Sequence, residues 1–65
     1  MPRFIVPKQA GQCFVRTGPT GKPTVYNNQS GNNRICIPCN TRAEAEKIRD
    51  RLNSGDHQGE INIPN

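Results

Sequence analysis

One segment of this 65-residue chain carries the markings of an α-helix, and its narrow apolar stripe requires the rest of the chain to supply a surface that covers it. Thr41-Arg42-Ala43-Glu44 fits a capping box: the Thr41 hydroxyl can accept the Glu44 backbone N–H, and the Glu44 carboxylate can reach back to the first turn. Ala45, Ile48 and Leu52 then recur at i, i+3 and i+7, a single apolar line along the helix. Ile48, at the centre of that line, is expected to be the most buried residue of the helix. Arg42 and Glu46 are spaced i, i+4, while Glu44–Lys47 and Glu46–Arg49 are spaced i, i+3, so each pair can support the helix. Gly55 stands where a C-terminal cap glycine belongs.

The surface that covers the stripe has to come from short strands. Residues 3–8 are apolar at Phe4, Ile5 and Val6, which Pro2 and Pro7 bracket, and this fits an edge strand because proline cannot donate to a ladder. Gln9 to Gln12 read as a turn around Gly11, and residues 13–17 as a second strand. Gly18-Pro19-Thr20-Gly21 is a turn in which proline presets φ and the glycines are free to take positive φ. A third strand covers residues 24–26, and the Asn-rich residues 27–33 form a long polar loop. Residues 34–39 alternate, with Ile35, Ile37 and Cys39 on one face and Arg34, Cys36 and Pro38 on the other. Residues 60–63 form a last short strand, with Ile61 and Ile63 on one face and Pro64 to stop it. The expectation is an α+β fold: one small antiparallel sheet, in the order β-β-β-β-α-β, packed on one helix within a single domain of residues 1–65.

The core available to such a fold is thin. A chain of this length buries only about 60% of its unfolded surface. Its candidates are drawn from Phe4, Ile5, Val6, Phe14, Val15, Val25, Ile35, Ile37, Ala45, Ile48, Leu52, Ile61 and Ile63. Trp is absent, and Phe4, Phe14 and Tyr26 are the whole aromatic supply. A dimer, a metal or another partner would reinforce so small a core. Low hydropathy with net charge also describes disordered chains, but the apolar residues here are clustered and periodic.

Charge divides the chain in two. Residues 1–43 carry Arg3, Lys8, Arg16, Lys22, Arg34 and Arg42 and no acid, a formal +6. Residues 44–65 carry Glu44, Glu46, Asp50, Asp56 and Glu60 against Lys47, Arg49 and Arg51, a formal −2 that leaves +4 for the whole. An acid-free basic surface attracts polyanions, of which nucleic acid is the commonest; the same charge also serves solubility alone.

Chemistry-bearing motifs are few. Cys36-Ile37-Pro38-Cys39, with Cys13 and His57, supplies the four ligands that zinc takes at about 2.0–2.3 Å. However, Cys13 and His57 stand alone rather than in a second short-spaced half, and an extended strand turns Cys36 and Cys39 to opposite faces. Thiol redox chemistry needs the first Cys at a helix N-terminus, where the dipole favours thiolate; here both cysteines precede the Thr41 cap. The preferred reading is structural, with Cys39 buried as a small apolar residue and Cys36 partly exposed, and with no metal and no cofactor. His57 sits in a polar turn after the helix and reads as a surface residue. No phosphate-cradling glycine loop and no catalytic constellation is visible, so no enzymatic activity is expected. The odd cysteine count agrees with a reducing compartment. The N-terminal MPRFIVPKQAG has only a three-residue apolar run, too short for a signal peptide. No stretch approaches the roughly 20 apolar residues of a membrane span. A complete, cytoplasmic protein without a membrane is the expectation.

Residues 12–39 followed by the capped helix resemble the arm-type DNA-binding domain of phage tyrosine recombinases. That family joins a three-stranded antiparallel sheet to a helix. Its Thr-x-x-x-Ala helix start is matched by Thr41-Arg-Ala-Glu-Ala45, and its glycine-basic turn by Gly18-Pro-Thr-Gly-Lys22. The resemblance covers about half the chain. The loop at 27–33 is longer than the family's, and strands flank the motif on both sides. It implies a sheet face carrying Arg16, Lys22 and Arg34 into a DNA major groove, and a phage or mobile-element origin.

The resulting expectation is a small basic nucleic-acid-binding or accessory protein working through Arg16, Lys22, Arg34 and Lys8. Phe14 shares a face with Arg16. Exposed, it would be a stacking platform for a single strand; the short aromatic supply favours placing it in the core instead. The alternative from a different class is a protein–protein interaction module or small inhibitor, acting by its surface or by pairing of the edge strands 3–8 and 60–63 with a partner or with a second copy.

Overall fold

A computed structural model describes residues 3–8 and 10–63; Pro2, Gln9 and Pro64, named above as strand and turn markers, lie outside the described residues. Five strands and one helix follow in the expected order: β1 (Arg3–Ile5), β2 (Cys13–Thr17), β3 (Pro23–Asn27), β4 (Cys36–Pro38), α1 (Arg42–Ser54) and β5 (Glu60–Asn62), with a single 3₁₀ turn at Gly31–Asn33. The strands form two antiparallel sheets rather than one. β2-β3-β4 is a three-stranded meander with β3 in the centre, and β1 pairs with β5. The first and last strands are therefore joined to each other, with Phe4 opposite Ile61.

The helix forms as its end signals dictate. Thr41 Oγ1 accepts the Glu44 N–H at 3.2 Å, and Gly55 closes the helix at φ 79°, where its N–H reaches the carbonyls of Arg51 and Leu52. Glu44 Oε1 is buried and has no hydrogen-bond partner among the described residues. Arg42 pairs with Glu46 at 3.2 Å, but Arg49 turns to Asp50 at 2.9 Å instead of Glu46. Exposed pairs of this kind contribute about 0–1 kcal/mol, so the helix is held mainly by its stripe. That stripe packs on β2 and β3. Ile48 is not its most buried residue. Ala45 is 0% exposed and Leu52 3%, against 4% for Ile48: a line one residue wide lies flush on the sheet, and its smallest member is covered first.

The core lies between α1 and the sheet face made by the register row Val15–Val25–Ile37, with Cys13 and Cys39 beside it, and it continues to Ile61 and Ile63 of the second sheet. It is aliphatic. Ile5 is 77% exposed, and Phe14 is half-buried on the opposite sheet face, so both core candidates lie outside it. Tyr26, opposite Phe14 in the register, lies outside it as well. The Cys39 N–H extends the ladder to Pro23 O at 2.8 Å, whereas the Ile35 N–H is taken by the Asn27 side chain at 2.9 Å. The fourth strand is therefore shorter than the alternation of residues 34–39 suggests. The same Asn27 amide donates to Ala10 O and Asn33 O, both at 2.7 Å, and so ties both ends of the polar loop to the segment before β2. On the outer edge of β2, Asn53 of the helix accepts the Cys13 N–H at 2.8 Å and donates to Cys13 O at 3.2 Å.

Candidate functional site

The outward face of the β2-β3-β4 sheet is built by two register rows. Phe14, Tyr26 and Cys36 form one, and Arg16, Thr24 and Pro38 the other. In an antiparallel pair such directly opposite residues project to the same side. The Phe14 and Tyr26 rings are adjacent, with centroids 6.1 Å apart and planes 30° apart. This lies within the roughly 4.5–7 Å range of aromatic pairs, which adds about 0.5–1.5 kcal/mol beyond area burial. Both rings remain half-exposed.

Beside them is an open cleft of about 410 Å³, lined by Phe14, Tyr26, Arg16 and Arg34, with Thr17 and Pro19 at its hairpin end. No acidic residue lines it. The hairpin turn closes over the face at Gly18, whose N–H donates to Lys22 O at 2.9 Å. A Cβ on Gly18 would meet Thr24 Oγ1 at 2.5 Å and the Tyr26 hydroxyl at 3.2 Å. Thr24 is held in that contact by its own bond to Lys22 O at 2.9 Å. Only glycine lets the turn approach the sheet this closely, and the approach buries Thr24, which is 2% exposed. No protein-family model, curated protein or solved structure matches this chain.

The structure brings together some of the basic residues singled out from the sequence and separates others. Arg16 and Arg34 share the aromatic cleft, and Lys22 is exposed at the base of the hairpin turn. Lys8 lies elsewhere, lining a cleft of about 490 Å³ with Gly55, His57, Gln58 and Gly59. The ion pairs among the described residues engage Arg3 with Glu60, Arg42 with Glu46 and Arg49 with Asp50. None engages Arg16, Lys22, Arg34 or Lys8. Tyr26 is the site residue the sequence reading missed. The signal for it was strand alternation from Val25, which turns inward.

The four zinc candidates do not converge. Cys36 is exposed on the outward face, whereas Cys39 and Cys13 are buried on the inward side. Among the described residues no group of three or more His, Cys, Asp or Glu side chains is placed to hold a metal ion. All three cysteines are free thiols. Burial, and then the nearby Glu44 carboxylate, push the Cys39 thiol from 9.0 up to about 11, and burial also raises Cys13. A redox dithiol needs the opposite shift, toward thiolate.

His57 corrects the sequence reading, because it is buried at 3% exposure rather than lying on the surface. Gly55, Gln58 and Gly59 all take positive φ and fold the turn inward onto the ring. The Gly59 N–H donates to His57 Nδ1 at 3.2 Å, and the Glu60 N–H donates to His57 O at 2.9 Å. Nδ1 as acceptor leaves the ring proton on Nε2, which has no partner. Here His57 acts as the plug of a turn. Among the described residues, no helix is long and apolar enough to cross a membrane.

Proposed function

We propose that this is a small basic nucleic-acid-binding protein that uses the outward face of its three-stranded sheet. The observation that carries this is the acid-free cleft in which Arg16 and Arg34, in no ion pair among the described residues, flank the half-buried Phe14–Tyr26 pair. Guanidinium groups suit phosphate because they present planar, bidentate donors and are weakly hydrated. Neutralised phosphates release counterions, so affinity should fall with salt at a log–log slope of about −0.7 to −0.9 per contact. With Arg16, Lys22 and Arg34 engaged, the slope is expected to be about −2 to −3. Fluorescence anisotropy with a labelled oligonucleotide at several salt concentrations tests this. The absence of binding at low salt to either single-stranded or duplex probes overturns the proposal. A shallow salt slope removes the phosphate mechanism. The cytoplasmic setting and the phage or mobile-element origin belong to the same proposal and rest on the cysteine usage and on the recombinase resemblance.

A second reading is favoured by a different observation. Ile5 is 77% exposed on β1, beside a cleft of about 360 Å³ lined by Phe4, Val6, Ile35 and Ile37. Each strand of the β1–β5 pair has one edge unpaired among the described residues, and such an edge can add a strand from a protein partner or a second copy. Light scattering of the purified protein tests the self-pairing form. A concentration-dependent dimer that Ile5→Lys abolishes would support it, and a monomer at high concentration would remove it.

A further inference from the structure

We infer that the ligand of the outward sheet face is single-stranded nucleic acid, with bases stacked on Phe14 and Tyr26 and phosphates held by Arg16 and Arg34. This deepens the nucleic-acid proposal and rests on it. The distinguishing fact is what lies between the cations. A face that met only the phosphates of a duplex would need basic and polar side chains. Here the centre of the face is two aromatic rings from adjacent strands, in register and half-exposed. A ring face gains from a ligand that offers its own π-face. In a duplex those faces are covered by the neighbouring base pairs, whereas in a single strand they are free.

The surroundings of the rings suit such a ligand. On the third strand the same face presents Cys36 and Pro38, compact and uncharged, so no long side chain rises beside Tyr26 from that strand. Toward the hairpin, Gly18 lies against the Tyr26 hydroxyl, and the absence of a side chain there keeps that end low. Arg16 is one row along from Phe14 on the same strand face, and Arg34 precedes β4 on the far side of the sheet. The cations thus flank the rings across the sheet, as a backbone running over stacked bases requires. The core is aliphatic and complete without either ring, so the placement of two of the chain's three aromatic residues on this face has no explanation in core packing.

The chain contains its own reporter. Tyr26 is the only tyrosine and there is no tryptophan, so the intrinsic emission of the protein reads the environment of that one ring. The experiment titrates the full chain at low salt with 12-nucleotide oligo(dT), with oligo(U) and with a 12-base-pair duplex. Emission is followed on the parent and on Phe14→Leu, and the anisotropy of a labelled probe on these and on Tyr26→Leu, which has no tyrosine left to emit. The leucine variants keep apolar bulk on a strand, and thermal melts establish that they fold. If a variant fails to fold, the parent's emission and its preference between probes decide alone. The expected result is quenching of Tyr26 by the single strands, tighter binding of single strand than duplex, and a loss of at least about fivefold in affinity for each folded variant. Binding of duplex and single strand with equal affinity, with unchanged Tyr26 emission and unaffected leucine variants, overturns the stacking inference and leaves nucleic-acid binding standing. No binding to any probe overturns both.

Discussion

On one side of the β2-β3-β4 sheet, the row Val15–Val25–Ile37 faces the core, with the helix packed on β2 and β3; on the other, the row Phe14–Tyr26–Cys36 faces outward, with Phe14 and Tyr26 half-buried and Cys36 exposed. The two rows are neighbours on the same three strands, yet they differ in every respect that chemistry can read. The inward row is aliphatic, with Val25 at 0% and Ile37 at 1% exposure. The outward row carries two aromatic rings and is flanked by cations that form no ion pair among the described residues. A domain this small draws only about 3–5 kcal/mol of stability from its core, which makes aromatic burial valuable. This fold nevertheless leaves Phe14 and Tyr26 outside and closes its core with valine, isoleucine, leucine, alanine and cysteine. The inward face therefore carries the stability, and the outward face is free to carry recognition.

That division can be broken by mutation. The largest effect is expected at the inward row: Ile37→Ala should cost about 2–5 kcal/mol, enough to leave the protein largely unfolded at room temperature by circular dichroism. A variant that melts like the parent would show that the row is not the core.

The cysteines sharpen the same contrast. At about pH 8 the exposed Cys36 should react with a thiol reagent, while Cys39, raised from 9.0 to about 11, offers about a hundredfold less thiolate and is covered as well. Because the folded chain holds the Cys39 proton more tightly than the unfolded chain does, stability is unaffected below about pH 9. It falls as pH rises through the interval up to about 11. Denaturant midpoints on either side of that interval check the sign. Mass spectrometry after brief alkylation checks the accessibility, and comparable labelling of Cys36 and Cys39 would mean the inward face is open.

Asn53→Ala comes next. It removes both side-chain bonds to the Cys13 backbone on the β2 edge and is expected to cost about 1–3 kcal/mol in a denaturant titration. The smallest effect is at the outward row. Arg16→Ala should change stability by no more than about 0.5 kcal/mol, while the salt slope of nucleic-acid binding falls by about 0.7–0.9. A large stability loss there would mean that the two faces are not independent.

Much of this architecture could be read along the chain, because its signals are local. The Thr41 cap, the Gly55 stop and the alternation of Ile35, Ile37 and Cys39 each need only a few neighbouring residues to interpret. What could not be read depends on distant pairings. Nothing near Arg3 indicates that its strand will pair with residues 60–62, so one sheet was expected where two form. The side on which Phe14 lies follows from which face of β2 the helix covers, and that is settled by α1 about thirty residues later. His57 was taken for a surface residue because its neighbours are polar, yet positive φ at Gln58 and Gly59 turns it inward. Charge and the recombinase resemblance point to Arg16 and Arg34. Their meeting around Tyr26 required the register of three strands.

The Asn27 amide, bonded to Ala10, Asn33 and Ile35 at once, has a consequence for how the chain tolerates change. It fastens the stem of the loop that follows β3, and within the loop the Gln29 side chain lies against Gly11, where an added Cβ would meet its Nε2 at 2.9 Å. Asn28, Gln29 and Ser30 are all exposed. Closing a loop costs only about 0.6 kcal/mol for each doubling of its length, and here the stem is held by side-chain bonds rather than by the loop's own composition. Ser30, exposed and with no side-chain capping bond, is therefore the place where this small domain is expected to accept foreign sequence, such as a tag, a tether or an extra recognition segment, while the rest of the fold stays intact.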